Sequence, residues 1–526
     1  MSVGVTEQSA KGAIACGHPE TAAAAREILE DGGNAFDAIL AGFVAATVAE
    51  PVFCSLGGGG FLLAGPAEGA PLLYDFFVQT PLKRRASEEI DFYPSHADFG
   101  TVKQEFHIGL GAMATPGAIK GLFAVHQDLA SLPMSRLVEP AVRVAREGFV
   151  LREIDAFVLG VVGAILVARD DSKAVYTNAD GSLLSAGQTM VQRDLAETIE
   201  ALAAEGEGYL HDGPLGEKLI VACRQQGGWL TEHDLSDYRV ARRRPLTRDY
   251  RGARILTNPP PSSGGILIAF ALAMLAEQDF ADVRFGSAAH LDLLAQVMAT
   301  TNRARVENHL QDALDDQRDG AAEQLLDPDL LARYAAQVRG HPMNPRGTTH
   351  LSVIDRAGNM AALTLSNGEG CGYVLPGSGI MMNNMLGEED LNPRGFHQWP
   401  ENHRISSMMA PSLAHIADGR SVALGSGGSN RIRTAILQVL VNLIDHGQTI
   451  DQAVENPRLH FERGVANLEK GFEAGAAASL EGLAERVIAW PSQNLYFGGV
   501  HGVTRHKDGR FAAAGDLRRG GVAEIV

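Results

Sequence analysis

Cysteine is scarce in this chain. Its four cysteines, Cys16, Cys54, Cys223 and Cys371, lie far apart with no CxxC pair, which excludes a disulfide framework and a thiolate zinc site. Positive charge is also in deficit: 45 Lys and Arg stand against 63 Asp and Glu, for a net charge of −18. A nucleic-acid binder carries a basic face, and none is implied here; an anionic membrane surface is disfavoured on the same ground. Long apolar runs are missing too. The longest, such as residues 156–168 and 265–276, fall well short of the ~20 residues of a membrane-spanning helix and read as buried core helices. No basic segment followed by an apolar one opens the chain, so the expectation is a cytoplasmic protein, or a periplasmic or secreted one if a leader stands upstream. The 17 histidines include no HExxH or similar spacing. His397 and His403 read as loop residues, and no metal or organic cofactor is expected.

What is present is ordinary globular composition, 45% hydrophobic and 21% charged over 526 residues, enough for three or four domain-sized units or one extended core. Apolar periodicity predicts a helix over residues 21–30, stopped at Gly32-Gly33, then a second one capped by Asn34 and running to Ala49 with Asp37 as its one charge. Further helices are expected over residues 116–130, 138–146, 266–275 and 433–446, the third introduced by the rigid stretch NPPPSSGG at 258–265. Strand signals occupy residues 61–64, the pair 350–355 and 360–366 around the turn Arg356-Ala357-Gly358-Asn359, the pair 413–416 and 421–424, and the closing segments 495–505 and 510–514. Residues 312–347 are markedly polar, the best candidate for an exposed, mobile segment. Helices before strands, then mixed elements, favour layered α+β packing over a parallel doubly wound sheet.

Two glycine-rich stretches invite a cofactor reading. Residues 57–60 (GGGG) lack the GK[ST] of a P-loop and read as a tight turn or a close approach of chains. Gly109-Leu110-Gly111 has neither the preceding buried strand nor the βαβ unit of a dinucleotide site.

The informative segment is Gly347-Thr348-Thr349-His350. A glycine precedes the threonine, a charged segment leads in, and a hairpin follows. These are the conditions for an N-terminal nucleophile released by self-cleavage. The Thr348 hydroxyl attacks the Gly347 carbonyl, the acyl group shifts from N to O, and water opens the ester. The α-amine so freed, with an ordinary pKa of about 7.7–8.0, then serves as base for its own hydroxyl. Cleavage at Gly347/Thr348 would give subunits of residues 1–347 and 348–526.

Across nearly its whole length the chain resembles the γ-glutamyltranspeptidase (glutathione hydrolase) family of N-terminal nucleophile hydrolases. The matching pieces include His18-Pro19, GGNAFD at 32–37, GGGGF at 57–61, DYRG at 249–252, Thr348–Asp355, Ser406-Ser407-Met408, the glycine-rich 425–432 and Asp516-Leu517-Arg518-Arg519. The resemblance implies a four-layer αββα sandwich made as a proenzyme. It also implies an acyl-enzyme on Thr348 that passes a γ-glutamyl group to water or an amino acid. It places Ser366 beside the nucleophile, Gly428 and Ser429 in the oxyanion loop, and Ser406 and Ser407 at the substrate carboxylate.

The same comparison marks departures. The family's donor-side arginine falls on Phe77 within DFFV at 75–78; Arg84 or Arg85 replaces it only if the following loop folds into the pocket. The asparagine that meets the substrate amine falls on Gly368, flanked by Asn367 and Glu369. Met385 takes a polar position, and Glu388 stands for an aspartate. A pocket built for a charged pair rejects analogues lacking it, and loosening it admits other acyl groups. Two enzymatic readings therefore stand: a γ-glutamyltransferase/glutathione hydrolase, and an amidohydrolase of the same scaffold taking a glutaryl- or oxamate-type acyl group. A third, a non-catalytic scaffold protein, requires a chain that stays uncut. The partners expected are a small-molecule amide and the two subunits for each other, with no nucleic acid and no membrane.

Overall fold

The computed structural model describes residues 2–6, 10–98, 103–280, 283–315, 320, 324–327, 330–331, 348–392 and 394–526. Most of the polar segment 312–347, Gly347 included, lies outside them. Two seven-stranded sheets form the centre. One carries, side by side, Gly12–Cys16, Thr349–Asp355, Met360–Ser366, Gly59–Gly65 and Leu72–Asp75. The other carries Phe511–Ala514, Gly499–Arg505, Ser421–Gly427, Ser412–His415 and Ala253–Thr257. The sheets pack face to face through Thr349–Asp355 against Ser421–Gly427 and Gly499–Arg505. Helices Pro19–Glu30 and Ala35–Ala49 cover the first sheet; Ser263–Ala276 and Arg431–Ile444 cover the second. This is the expected αββα sandwich.

Local chemistry explains why these elements form where they do. Asn34 closes a capping box with Asp37 at the head of Ala35–Ala49, every residue of which is buried. The hairpin turn between Thr349–Asp355 and Met360–Ser366 is tied by the Asp355 carboxylate. It accepts from the backbone of Gly358 and Asn359 at 3.0 and 2.9 Å, and from Ala35 N at 2.9 Å, fastening hairpin to helix. The space between the sheets is partly polar: the His350 ring bonds Thr364 Oγ1 at 2.8 Å and Ser352 Oγ at 2.9 Å. Any side chain at Gly425 would strike that ring.

Two expectations need correction. The apolar run 156–168 is not one buried helix but two short ones, Glu153–Val161 and Gly163–Leu166, broken at Val162. Gly160 and Gly163 flank the break, where helix propensity is poorest, and Phe157 is exposed. The closing strand begins at Gly499 rather than at 495. Asn494 caps a 3₁₀ turn over Leu495–Phe497, and Gly498 at φ 79° redirects the chain. The GGGG stretch proves to be a close approach. Gly59 and Gly60 are strand residues, and a Cβ at Gly58, Gly59 or Gly60 would meet backbone carbonyls of Ser366, Phe76 or Thr364 closer than 3.0 Å. Gly111 sits in a 3₁₀ turn against Ile90, as packing and not as a nucleotide loop. Among the described residues no helix is long and apolar enough to cross a membrane.

Candidate active site

Thr348 is the residue before the strand Thr349–Asp355, at the end of the sandwich where several strands start or stop. Register brings Thr349 opposite Leu365, so Thr348 faces Ser366 at the end of the neighbouring strand. From the other sheet, Gly427 ends its strand directly against Thr348: a Cβ there would meet the Thr348 carbonyl oxygen closer than 3.0 Å. That carbonyl accepts from Arg519 Nη1 at 3.2 Å. Burial, then the like charge of Arg431, lowers the Arg519 guanidinium to about 10, still charged at neutral pH. Next to Thr348 in the chain, Thr349 Oγ1 donates to Glu50 Oε2 at 2.6 Å, and Thr21 Oγ1 donates to Glu50 Oε1 at 3.0 Å. Burial raises this carboxyl group's pKa. His350 is held neutral, its pKa pushed well down by burial.

A cleft opens beside Thr348. Thr348, Ser366, Ser406, Ser407 and Ser429 contribute hydroxyls to it, as does Ser263, and Phe77 and Met385 form part of its apolar wall. Glu388 lines it as well. Three sequence-named residues do not line it: Asn367, Gly368 and Gly428. Asn367 is fully buried, its carboxamide without a hydrogen-bond partner among the described residues. Gly368 lies at φ 62°, its N–H on Ser366 Oγ at 3.2 Å. Gly428 lies at φ 122° beside Gly498, bridging the strand end to Ser429.

Two departures from the family pattern prove to be one. A Cβ at Gly368 would land on Asn384 Oδ1 and Glu388 Oε1. The longer acid at 388 and the Asn384 amide fill the room that a side chain at 368 would need, so only glycine fits. The glycine-rich loop 425–432 carries a second special conformation. Ser429 sits in the left-handed region at φ 51°, where a side chain costs roughly 1–2 kcal/mol. It leads into the helix Arg431–Ile444, whose Arg431 and Ile432 N–H groups donate back to Gly428 O and Ser429 O at 3.1 and 2.9 Å, while Ser429, Asn430 and Ile432 line this end of the cleft.

Phe77 is fully buried. Its ring stacks on Phe61 at 5.5 Å between centroids and its N–H bonds Asp75 Oδ1 at 3.1 Å. The nearby loop does not restore the charge. Arg84 Nη1 donates to His397 O at 3.0 Å and its guanidinium lies over Trp399. Arg85 Nη1 donates to Gly228 O at 2.8 Å. Arg404, behind Phe77, is engaged by Phe77 O, Tyr238 OH and Arg239 O. His397 packs edge-on to Phe92 and Trp229, and His403 bonds Glu401 O.

Sequence reasoning missed part of the lining: Ser263, Arg305, Asp390, Leu391, Met408 and Met409. One signal was available for Ser263. The proline stretch 258–265 clamps the serine pair, with Ser263 N and Ser262 Oγ on Ser407 O at 2.9 and 2.8 Å, and Asn258 Nδ2 on Met409 O at 2.9 Å. Arg305, in the last turn of the helix Ala288–Glu307, carried none, because a cation at a helix end is most often solvated.

Known proteins resemble this chain in sequence and in fold. A sequence model described as Gamma-glutamyltranspeptidase matches residues 21–526. The Acylase ACY 1 proenzyme of Pseudomonas sp. (strain V22) is 32% identical over 533 residues, 98% of this chain and 94% of that one. The Glutathione hydrolase proenzyme of Escherichia coli (strain K12) is 29% identical over 530 residues, 94% of this chain and 88% of that one. Among solved structures, cephalosporin acylase from Bacillus halodurans superposes with a TM-score of 0.83 at 22% identity over 99% of this chain and 97% of that one, a likeness of fold.

Proposed function

The chain belongs to the γ-glutamyltranspeptidase family, and from that premise we propose that it is a self-cleaving amide hydrolase whose acyl site is of the acylase kind. Cleavage before Thr348 would give subunits 1–347 and 348–526. The Thr348 hydroxyl, relieved of its proton by the new α-amine, attacks the amide carbonyl. Backbone N–H groups around Gly428 and Ser429 meet the oxyanion; the amine departs with a proton, and water cleaves the Thr348 ester. Losing one such donor typically costs about 10²–10³ in rate. Ser366, one residue past Leu365 on the adjacent strand, is the group to steady the nucleophile.

The observation carrying the acyl reading is the buried Phe77 in the cleft wall, with Arg84, Arg85 and Arg404 engaged elsewhere. A free γ-glutamyl head presents a carboxylate and an α-amine. The arginine for the first is absent from this wall, and Gly368 offers no side chain to the second. A glutaryl group keeps the carboxylate but lacks the amine, and so makes only one of those demands. The acylase name of a 32% identical relative supports the same reading. Glu388, Ser406 and Ser407 in the same cleft favour the second reading, γ-glutamyl hydrolysis or transfer.

The test is the purified protein on a denaturing gel, then release of 4-nitroaniline from glutaryl- and γ-glutamyl-4-nitroanilide, with Thr348→Ala alongside. Two bands and Thr348-dependent release favouring the glutaryl substrate are expected, with Thr348→Ala uncut and inactive. A tenfold preference for the γ-glutamyl anilide would install the second reading. An uncut, inactive wild type would overturn both.

A further inference from the structure

Strand pairing runs out unevenly at Thr348. On one flank of Thr349–Asp355 the ladder starts at Thr349, opposite Leu365; on the other it starts only at Leu351, opposite Cys16. Past Leu351 on that second flank a side chain takes over, for the Glu50 carboxylate accepts from Thr349 Oγ1 at 2.6 Å. The chain makes room for this contact. Gly17 follows Cys16, and a Cβ there would lie closer than 3.0 Å to Glu50 Oε2 and at 3.1 Å from Thr349 Oγ1. Thr21 Oγ1 donates to the other carboxylate oxygen at 3.0 Å.

Stability alone does not explain Glu50. It is the buried C-cap of the helix Ala35–Ala49, where desolvation and the negative end of the helix dipole both oppose a carboxylate. Choices that work against stability gather at functional sites. Three residues on, Phe53 N donates to Glu50 O at 2.9 Å, and the Arg519 guanidinium lies over the Phe53 ring at 5.3 Å. Arg519 in turn holds the Thr348 carbonyl oxygen at 3.2 Å. One turn of the 1–347 segment thus touches both the side chain that holds Thr349 and the side chain that holds Thr348. Of the described residues that line the cleft, none is Glu50, Thr349 or Arg519.

We propose that Glu50 is a positioning residue for Thr348: by holding Thr349 Oγ1 it fixes the strand end that carries the attacking hydroxyl. This rests on the amide-hydrolase reading above, and adds to it a group of the 1–347 segment that never meets the substrate. The same contact serves cleavage before Thr348 and attack on the substrate amide, because in both the hydroxyl must lie near a carbonyl carbon. A displacement near 1 Å at reacting groups costs about 10²-fold in rate. After cleavage the demand grows, since a chain terminus stays ordered only where it is tied down.

The experiment compares wild type with Thr349→Val, Thr349→Ser and Glu50→Leu. Cleavage is followed on denaturing gels, and kcat and KM are measured on glutaryl- or γ-glutamyl-4-nitroanilide, whichever the wild type turns over. Valine keeps the shape of threonine and removes its hydroxyl; serine keeps the hydroxyl and removes the methyl group. The expected result for Thr349→Val is cleavage and kcat slowed about 10²-fold, with KM within about threefold of wild type. Thr349→Ser should recover at least about tenfold of that loss. Packing alone predicts the reverse order, serine worse than valine, and that order overturns the proposal. So does a Thr349→Val protein with wild-type cleavage and kcat. Glu50→Leu removes the acceptor at similar bulk and serves if Thr349→Val does not fold: a kcat loss of about tenfold or more at unchanged KM sustains the proposal, and no loss removes it. A wild type that neither cleaves nor turns over substrate fails the amide-hydrolase reading separately. Amide hydrogen exchange over residues 348–350 then decides. Exchange about tenfold faster or more in Thr349→Val sustains the positioning role, and equal exchange removes it.

Discussion

Gly427→Ala isolates how tightly the two sheets hold Thr348. Gly427 is the last residue of its strand, and its added Cβ would sit closer than 3.0 Å to the Thr348 carbonyl oxygen, with Arg519 Nη1 also in contact range. Real Cβ atoms keep beyond 3.0 Å of backbone oxygen, so one strand end must yield by about 1 Å. Neither can yield freely. Ser421–Gly427 is paired along its whole length to Gly499–Arg505, and Thr349–Asp355 lies between two partner strands. Overpacking of this kind costs about 1–3 kcal/mol. A displacement near 1 Å at reacting groups costs about 10²-fold in rate. The expected outcome is therefore a folded protein whose cleavage before Thr348, followed on denaturing gels over hours, is slowed about 10²-fold or more, with a lowered Tm. Any cleaved fraction should show a similar loss in kcat on an amide substrate. Gly427→Ala protein that cleaves and turns over like wild type would refute the claim that this approach sets the position of Thr348.

Ser429→Gly removes a side chain from φ 51°. The relief of roughly 1–2 kcal/mol, less the ~0.5–1 kcal/mol entropic cost of glycine, predicts a Tm raised by about 1–2 °C with kcat within about threefold; a lower Tm in thermal unfolding would contradict the strain. Acid should destabilise the fold before its carboxylates titrate. Burial lowers His501 to about 4 and pushes His350 lower than its ordinary value. Below about 6.5 the unfolded chain takes up protons that the folded one refuses. Stability from these groups is full above that pH and is lost as pH falls toward 4. For His501 the loss at pH 5 is about 2 kcal/mol. Urea midpoints at pH 7.5 and 5 should differ accordingly, and His501→Gln should flatten the difference; an unchanged wild-type midpoint would defeat the assignment.

Much of this was legible in residue order. The hairpin around Arg356–Asn359 could be read because both strands are apolar runs and Asp355, Gly358 and Asn359 are turn formers whose side chain and backbone groups bond one another. The helix from Ala35 announced itself through Asn34 and an uninterrupted apolar run. Thr348 stood out by its glycine neighbour and the hairpin behind it. What stayed hidden depends on distance in sequence. Arg305 enters the cleft from a helix with no motif, and Glu50 reaches Thr349 across the first sheet. No local pattern records either. The run 156–168 misled because apolar composition alone does not tell one helix from two when glycines sit at 160 and 163.

The cleft's departures obey different constraints from its matches. Around Thr348 the fit is backbone against backbone: Gly427 on Thr348 O, Gly58 on Ser366 O, Gly60 on Thr364 O. A side chain at any of these would spread the strands that meet around Thr348 and Ser366, whatever the substrate. On the acyl wall the fit is side chain against side chain, and one change there demands another. Glu388 and Asn384 occupy the room above Gly368, so glycine at 368 and the longer acid at 388 belong together. Phe77 is seated on Phe61 while its carbonyl takes Tyr238 OH at 2.7 Å and the Arg404 guanidinium; the position is built for an aromatic ring from both sides. An arginine at 77 would have to displace that stack before it could reach a substrate. The shape of this wall follows from packing that is already complete without a γ-glutamyl head, and that is the physical ground for expecting a different acyl group on Thr348.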